Sequence, residues 1–464
     1  MNREQKLAKN TAILGIGTAF SSVFSFFMVP LYSHWLSVAD YGTYDVYSTY
    51  VSLLIPFLTL ACGEAVFRFL LDCKEEKDYK RVLSSSWVIV LLGLAIGTVI
   101  AVIFFMIGEE SHTISFVFFM VSSILYSQGC YIARGFRKPV TYTLANIIFL
   151  LVMAATVTYL VYFRQYGLSG ILWGNAIGHL VAFIYISISC TLWRYISLAK
   201  PDKNEIKTII KYSYPLIPNT VAWWVVNVSD RSIIRLALGA ASNGIYAIAN
   251  KLPSLCTTVF GVFHMSWQES AVDSVNDSDR NEYFNSVLNR IIPFCLSVGM
   301  CIIAVNRFFY KWVWDSKYID GYFHVSILMV AVIFSFLSQF IGGVLVAEKK
   351  TKINGSTTVI AAFINIGVNV SLIHFIGLYS ASVSTLAAYI SLFIMRVYLI
   401  RKEFTICISR NSIMAIVAFI CITITQFMKN VYVGGAVLIG AVFVSLLLNK
   451  AIVMGILHRI LRRG

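Results

Sequence analysis

From about residue 11 onward the chain is a succession of apolar blocks, each about 20 residues long, separated by short charged loops. A helix of that length spans the ~30 Å hydrocarbon core of a bilayer. Composition points the same way: 58% of residues are hydrophobic and 13% charged. A soluble domain carries roughly half apolar and about a quarter charged residues, and a soluble chain with this balance would expose too much apolar surface. The expected fold class is therefore an all-α polytopic membrane protein. Fourteen candidate spans fall near 11–35, 43–67, 82–107, 113–133, 141–163, 169–193, 212–237, 244–266, 288–306, 323–346, 357–376, 379–399, 412–428 and 431–449.

The chain repeats itself. Leu36-Ser37-Val38-Ala39-Asp40-Tyr41-Gly42-Thr43-Tyr44 returns as Leu238-Gly239-Ala240-Ala241-Ser242-Asn243-Gly244-Ile245-Tyr246, an offset of 202. Gly167-Leu168-Ser169-Gly170 is echoed by Gly377-Leu378-Tyr379-Ser380 at an offset of 210. Six spans, six spans and two more is the arrangement this demands. We expect an N-terminal six-helix bundle over 1–199, a C-terminal six-helix bundle over 200–405, and two further helices with a basic tail over 406–464. Halves with an even number of spans enter from the same side, so a pseudo-two-fold along the membrane normal should relate them. Internal repeats of this kind mark transporters, with a site between the halves.

Orientation follows from Lys and Arg. Arg3, Lys6 and Lys9 precede the first span, and Lys74, Lys77, Lys80 and Arg81 follow the second. Arg134, Arg137 and Lys138 follow the fourth, Lys200, Lys203, Lys207 and Lys211 the sixth, and Arg401, Lys402 and Arg410 the twelfth. The opposite loops are nearly bare, apart from 307–321, which carries several bases. Both termini are thus expected in the cytoplasm. The net charge of +15 is mostly this bias and calls for no nucleic-acid partner. Segment 267–282 is acidic on the same side and reads as a solvated loop. It lies within 267–287, which with 194–211 forms the longest linkers. Met1–Asn10 does not read as a signal peptide: the apolar stretch after it is too long for an h-region and has no small-residue cleavage site before Pro30.

The chain lacks the common chemical motifs. The nine cysteines are scattered, with no CxxC and no His at metal spacing, and most sit in apolar spans as small packing residues. There is no Walker loop, no HExxH and no GxSxG. No soluble stretch is long enough for a catalytic domain. No enzyme activity, cofactor or metal is expected.

Polar groups inside spans are costly and mark function unless they serve packing. The seventh span holds Asn227-Val228-Ser229-Asp230-Arg231-Ser232 and then Arg235. These read either as an interfacial pair with a snorkelling Arg235 or as a substrate site, in which Arg231 binds an anion and Asp230 orients it. Lys251, seven residues past Gly244 and about 10 Å along the helix, lies at a depth similar to Arg231 and favours the second reading. Glu64 and Arg68 are four apart on the second span and read as a local salt bridge or as part of the site. Asn175 and His179 share a face of the sixth span, and Asn365 and Asn369 of the eleventh; helix–helix hydrogen bonds are the simpler reading. Gln128, Gln339 and Asn146 have no evident partner. Glu64, His179 and Asp230 are the candidates for ion coupling. Pro56 and Pro253 fall in corresponding second spans, while Pro30, Pro215, Pro218 and Pro293 mark others; a kink there is either static curvature or a moving part.

Asn10, the glycines and Pro30 of the first span, the Ala39-Asp40-Tyr41-Gly42-Thr43-Tyr44 turn, Ser229-Asp230-Arg231-Ser232-Ile233 and Asn243-Gly244-Ile245-Tyr246-Ala247-Ile248-Ala249-Asn250-Lys251 resemble Wzx-type O-antigen or capsule repeat-unit flippases. These belong to the MOP (multidrug/oligosaccharidyl-lipid/polysaccharide) exporter superfamily. The resemblance implies two six-helix bundles forming a V around a cationic cavity. It also implies transfer of undecaprenyl-diphosphate-linked oligosaccharide from the inner to the outer leaflet of a bacterial inner membrane. Membrane lipid, a polysaccharide polymerase and a chain-length regulator are the implied partners; a monomer is expected. Two relatives within the superfamily remain alternatives. A MATE-type ion-coupled exporter often has an acid in the first span, and Thr11–Leu36 has none. A lipid II flippase often has an Arg-Asp pair there, also absent.

Overall fold

The computed structural model describes residues 21, 24–107, 112–197, 202–214, 217–348, 350–402, 404–426, 431–450 and 454. No strand occurs among them. After helical residues 24–35 (α1) come α2 (Val38–Leu58), α3 (Cys62–Leu70), α4 (Glu76–Ile107), α5 (Thr113–Gly135), α6 (Pro139–Val157), α7 (Gly167–Ser189) and α8 (Lys203–Ser213). There follow α9 (Ile217–Leu238), α10 (Ala240–Ala249), α11 (Lys251–Ser274), α12 (Arg280–Phe308), α13 (Tyr322–Ala347), α14 (Thr351–Ile376), α15 (Tyr379–Ile400), α16 (Arg410–Thr425) and α17 (Val431–Leu448). The chain divides into two compact units, Met1–Trp224 and Val225–Gly464.

Expected spans three to six and nine to twelve are each a helical element long and apolar enough to cross a bilayer. The second span is a bent pair: α2 and α3 meet at 60°. Pro56 cannot donate to the carbonyl of Ser52, and the chain leaves the helix at Leu60 and Ala61, both with positive φ. The thirteenth and fourteenth are shorter apolar helices. Residues 11–20 of the first expected span lie outside the described residues, as do Asn10, Pro215, the Arg463 end and the loops at Glu109 and Lys429.

Three expectations are corrected. The eighth span is not one helix over 244–266. It breaks at Asn250, because Pro253 supplies no N–H to the Ala249 carbonyl, and it restarts at Lys251 and runs on to Ser274. Segment 267–287 is accordingly not a linker. Trp267 is buried, stacks on Phe340 at 4.2 Å and donates to the Phe340 carbonyl at 2.9 Å, and the chain turns only between α11 and α12. Nor is 194–211 a loop throughout. Asp202 caps α8 by accepting from the Asn204 and Glu205 amides, and Arg81 on α4 pairs with Glu205 at 3.2 Å.

The sequence repeat is a structural one. Ser37 and Gly239 occupy the same place, just before the first turn of α2 and of α10; Ser37 caps with its hydroxyl, whereas Gly239 does so with φ +90°. Gly167 and Gly377 both take φ near +50 to +57°, where a side chain would be strained. The repeated positions also bond alike inside each unit. Tyr44 on α2 donates to Asn175 on α7 at 3.4 Å. Their counterparts Tyr246 on α10 and Thr385 on α15 meet on one carboxylate. His112 contacts Ser169 at 2.8 Å, and His324 stacks on Tyr379 at 4.4 Å and contacts Ser382 at 2.8 Å.

In lipid, helices gain nothing by exchanging apolar neighbours, so close packing of small residues sets who touches whom. Gly170, Gly174 and Gly178 form such a stripe on α7, facing Val161, Val157 and Met153. A methyl at Gly174 would overlap the Val157 side chain. Gly174→Leu is therefore expected to cost about 1–3 kcal/mol by overpacking. Thermal unfolding of the purified protein checks this. Gly367→Ala, inside α14 where the added atom meets nothing, is the control and should not lower the melting temperature.

Candidate functional site

In Val225–Gly464 the polar centre is Asp230, 4% exposed on α9. Ile234, one turn on, is fully buried against Tyr246, Leu328 and Ala381, so α9 presents the Asp230 face inward. The carboxylate accepts from Tyr246 Oη at 3.0 Å, Thr385 Oγ1 at 2.6 Å and Asn369 Nδ2 at 3.1 Å. Those donors come from α10, α15 and α14. Ser380 Oγ donates to Asn369 Oδ1 at 2.9 Å and so turns the amide donor toward the acid. Ser229 Oγ donates to Asn365 Oδ1 at 3.3 Å, and Asn365 Nδ2 donates to Thr385 Oγ1 at 3.4 Å. Asn369 thus makes its helix–helix bond to this acid, and Asn365 makes its own to Ser229 and Thr385 beside it. A buried carboxylate is tolerated only with several such donors.

Arg231 is half-buried beside Asp230, and its charge acts on that carboxylate. Arg235, four residues on, shares its flank of α9 and is half-buried. The Asn227 side chain lies outside what the structure describes. Lys251 is half-buried at the first position of α11, just past the break. Arg68 is not paired with Glu64, which corrects the local-bridge expectation. It pairs with Asp72, one turn later at the exposed end of α3, where desolvation costs little. Glu64, which is exposed, accepts instead from Tyr131 Oη on α5 at 3.0 Å.

Met1–Trp224 contains a second polar site, a cavity of about 400 Å³, within the ~300–1,000 Å³ range of small-ligand sites. Ser52, Ser123, Tyr131, Asn146, His179 and Arg134 line it. His179 is packed more than poised: it lies flat on Phe149 at 4.3 Å, with Tyr126 and Phe119 beyond, and contacts Ser123 Oγ at 3.1 Å. Arg134 lies over the Phe67 ring at 4.6 Å. Sequence reasoning named Asn146 and His179 singly and passed over the α5 side of the wall, although α5 carries the signal. Ser123, Tyr126, Ser127, Cys130, Tyr131 and Arg134 recur at helical spacing, a polar stripe on an otherwise apolar span. Arg396 was also missed. It is buried on α15 and donates to the Ser338 carbonyl at 2.7 Å and to Thr358 at 3.0 Å, tying α13 to α14. No group of three or more His, Cys, Asp or Glu side chains suited to a metal occurs among the described residues.

Solved structures share this fold. The lipid II flippase MurJ in an inward closed conformation matches with a TM-score of 0.70 at 15% identity, over 96% of this chain and 100% of that one. An inward-facing MATE-family multidrug resistance transporter of the MOP superfamily matches at 0.61 and 13%, over 87% of this chain and 96% of that one. A MOP superfamily transporter from Pyrococcus furiosus matches at 0.56 and 14%, over 85% and 96%. Comparison with curated protein sequences gives no match. The family model described as "Polysaccharide biosynthesis protein" matches residues 7–267, more than half of the chain. This multi-pass membrane protein, with the fold of the MOP exporters, therefore belongs to the polysaccharide biosynthesis protein family.

Proposed function

We propose that the protein is a flippase that moves undecaprenyl-diphosphate-linked oligosaccharide repeat units, of O-antigen, capsule or a related surface polysaccharide, to the outer leaflet of a bacterial inner membrane by alternating access. The observation that carries this reading is the family match over residues 7–267 on a chain with a flippase-like fold. Arg231 and Lys251 bind the diphosphate, with Asn227, Arg235 and Arg68 as further contacts and Asp230 holding α9 in place. A half-buried guanidinium and ammonium suit phosphate oxygens better than lipid tails. Asp230 is the first ion-coupling candidate, with Glu64 and His179 behind it. Two six-helix bundles over 1–199 and 200–405 with two added helices, acting as a monomer, complete the proposal.

Complementation tests it. In a strain lacking its own repeat-unit flippase, the protein should restore surface polysaccharide; in a strain depleted of its lipid II flippase, it should not restore growth. The opposite pair of results would favour the lipid II reading, to which the 0.70 match gives weight. Export of small cations with neither rescue would favour the MATE-like one. Topology is checked separately. Reporter tags inside Lys200–Lys207 and after Arg463 should read cytoplasmic, and tags at Glu109 and Lys429 external. An external C-terminus would overturn the proposed orientation.

A further inference from the structure

One cluster of bases is absorbed neither by the positive-inside pattern nor by the site above: the group in 307–321. In the structure Arg307 and Lys311 of this group border a cavity of about 1060 Å³ in Val225–Gly464. It opens at the end of the unit where α12 stops, α13 and α15 begin, and α10 has its first turn. Arg280, Lys350, Arg401 and Arg410 stand at the other ends of these and neighbouring helices. In the orientation proposed above, the cavity faces outward.

Arg307 and Lys311 are four residues apart and both line it; Asp320 is the acid among the lining residues. Bases near a helix C-terminus complement its dipole, and that alone would place them on an exposed flank. It does not explain the rest of the wall. Tyr310, 5% exposed, also lines the cavity, with its hydroxyl packed against Gly321 and without a hydrogen-bond partner among the described residues. The first turn of α10 reaches the same space through Ser242, behind Gly239, which supplies no side-chain cap. A guanidinium, an ammonium and the first turn of a helix make a donor set for a multiply charged oxyanion. The intervening walls are apolar, through Ile245 and Phe323, which suits a head group attached to a hydrocarbon.

We propose that this outward end of the C-terminal unit is a phosphate-binding site, held by Arg307 and Lys311. It takes a phosphate or diphosphate group at the outer membrane surface. Its outward placement rests on the proposed orientation; its chemistry does not.

The test uses the full-length protein, purified in detergent and carrying Arg231→Ala and Lys251→Ala so that the cargo cations contribute nothing. Titration calorimetry with inorganic pyrophosphate should show saturable binding. Lys311→Gln or Arg307→Gln should each weaken it about tenfold, and Asp320→Asn, which removes the opposing charge, should tighten it about threefold. Lys311 and Asp320 are exposed, so their substitutions keep the test valid if Arg307→Gln misfolds. A short-chain isoprenyl diphosphate binding tighter than pyrophosphate would identify a lipid-linked diphosphate as the source. Competition by phosphatidylglycerol in nanodiscs would identify a phospholipid head group, and equal binding of all phosphates a free anion. Absence of pyrophosphate binding, or binding indifferent to the Lys311 and Asp320 substitutions, overturns the proposal. Because no transport is measured, that outcome leaves the flippase reading standing, and failed complementation leaves the anion site standing.

Discussion

Arg231→Ala and Lys251→Ala are each expected to reduce surface polysaccharide to about a tenth or less in the complementation assay, with protein level near wild type. Each cation supplies one or more charge-assisted hydrogen bonds to the diphosphate, worth about 1.5–3 kcal/mol apiece, and tenfold corresponds to about 1.4 kcal/mol. Both side chains are half-buried, and Arg231 is not among the three hydrogen-bond donors that hold the Asp230 carboxylate. Arg231→Lys should retain part of the activity, since it keeps the charge and loses the paired donors. The readout is surface polysaccharide against membrane-fraction protein by immunoblot. Normal export by both alanine variants, or loss explained by missing protein, would make these residues structural and move the cargo site elsewhere.

Asp230 should behave in the opposite way, with stability failing first. Asp230→Leu strands the Tyr246 and Thr385 hydroxyls and the Asn369 amide in a buried space. Removing one partner from a buried charged network costs about 3–5 kcal/mol, comparable to the whole stability margin of many proteins. Little folded protein should accumulate. Asp230→Asn keeps the shape and one acceptor oxygen, turns an NH2 toward donors, and should cost about 1–3 kcal/mol. If coupling passes through this acid, Asp230→Asn protein that does fold will still transport poorly. Glu64→Gln, exposed and able to keep its bond from Tyr131, should leave the melting temperature unchanged, so any transport defect there reports coupling alone. Normal export in both Asp230→Asn and Glu64→Gln would assign coupling to another group or to the membrane potential.

The two sites were legible to different degrees. Asp230 stood out because an acid in an apolar span is expensive wherever it points. Its partners did not, because Asn369 and Thr385 lie far along the chain and no local rule pairs them. The repeat held a clue in hindsight. Tyr44 and Asn175 map onto Tyr246 and Thr385 at the repeat offsets of 202 and 210, so the pair that meets in one unit indicates the pair that converges on Asp230 in the other. Arg68 and Glu64 misled for a related reason. Helical spacing states which residues are able to pair, and the nearer or less desolvated competitor, Asp72 or Tyr131, decides.

What the sequence alone determined is whatever the bilayer imposes one segment at a time. That includes the all-helical class, the apolar spans, the distribution of bases between the two ends, and the prolines, Pro56 and Pro253 among them, that remove a backbone donor. Block length, charge and proline act locally, so they are readable locally. The tertiary structure alone decided which polar groups meet and which faces form cavities. In hydrocarbon, the apolar pattern cannot choose one helix neighbour over another, because lipid is as apolar as leucine. The choice falls to close contacts such as those of Gly170, Gly174 and Gly178, and to hydrogen bonds such as those on Asp230. These depend on the rotation and register of whole helices.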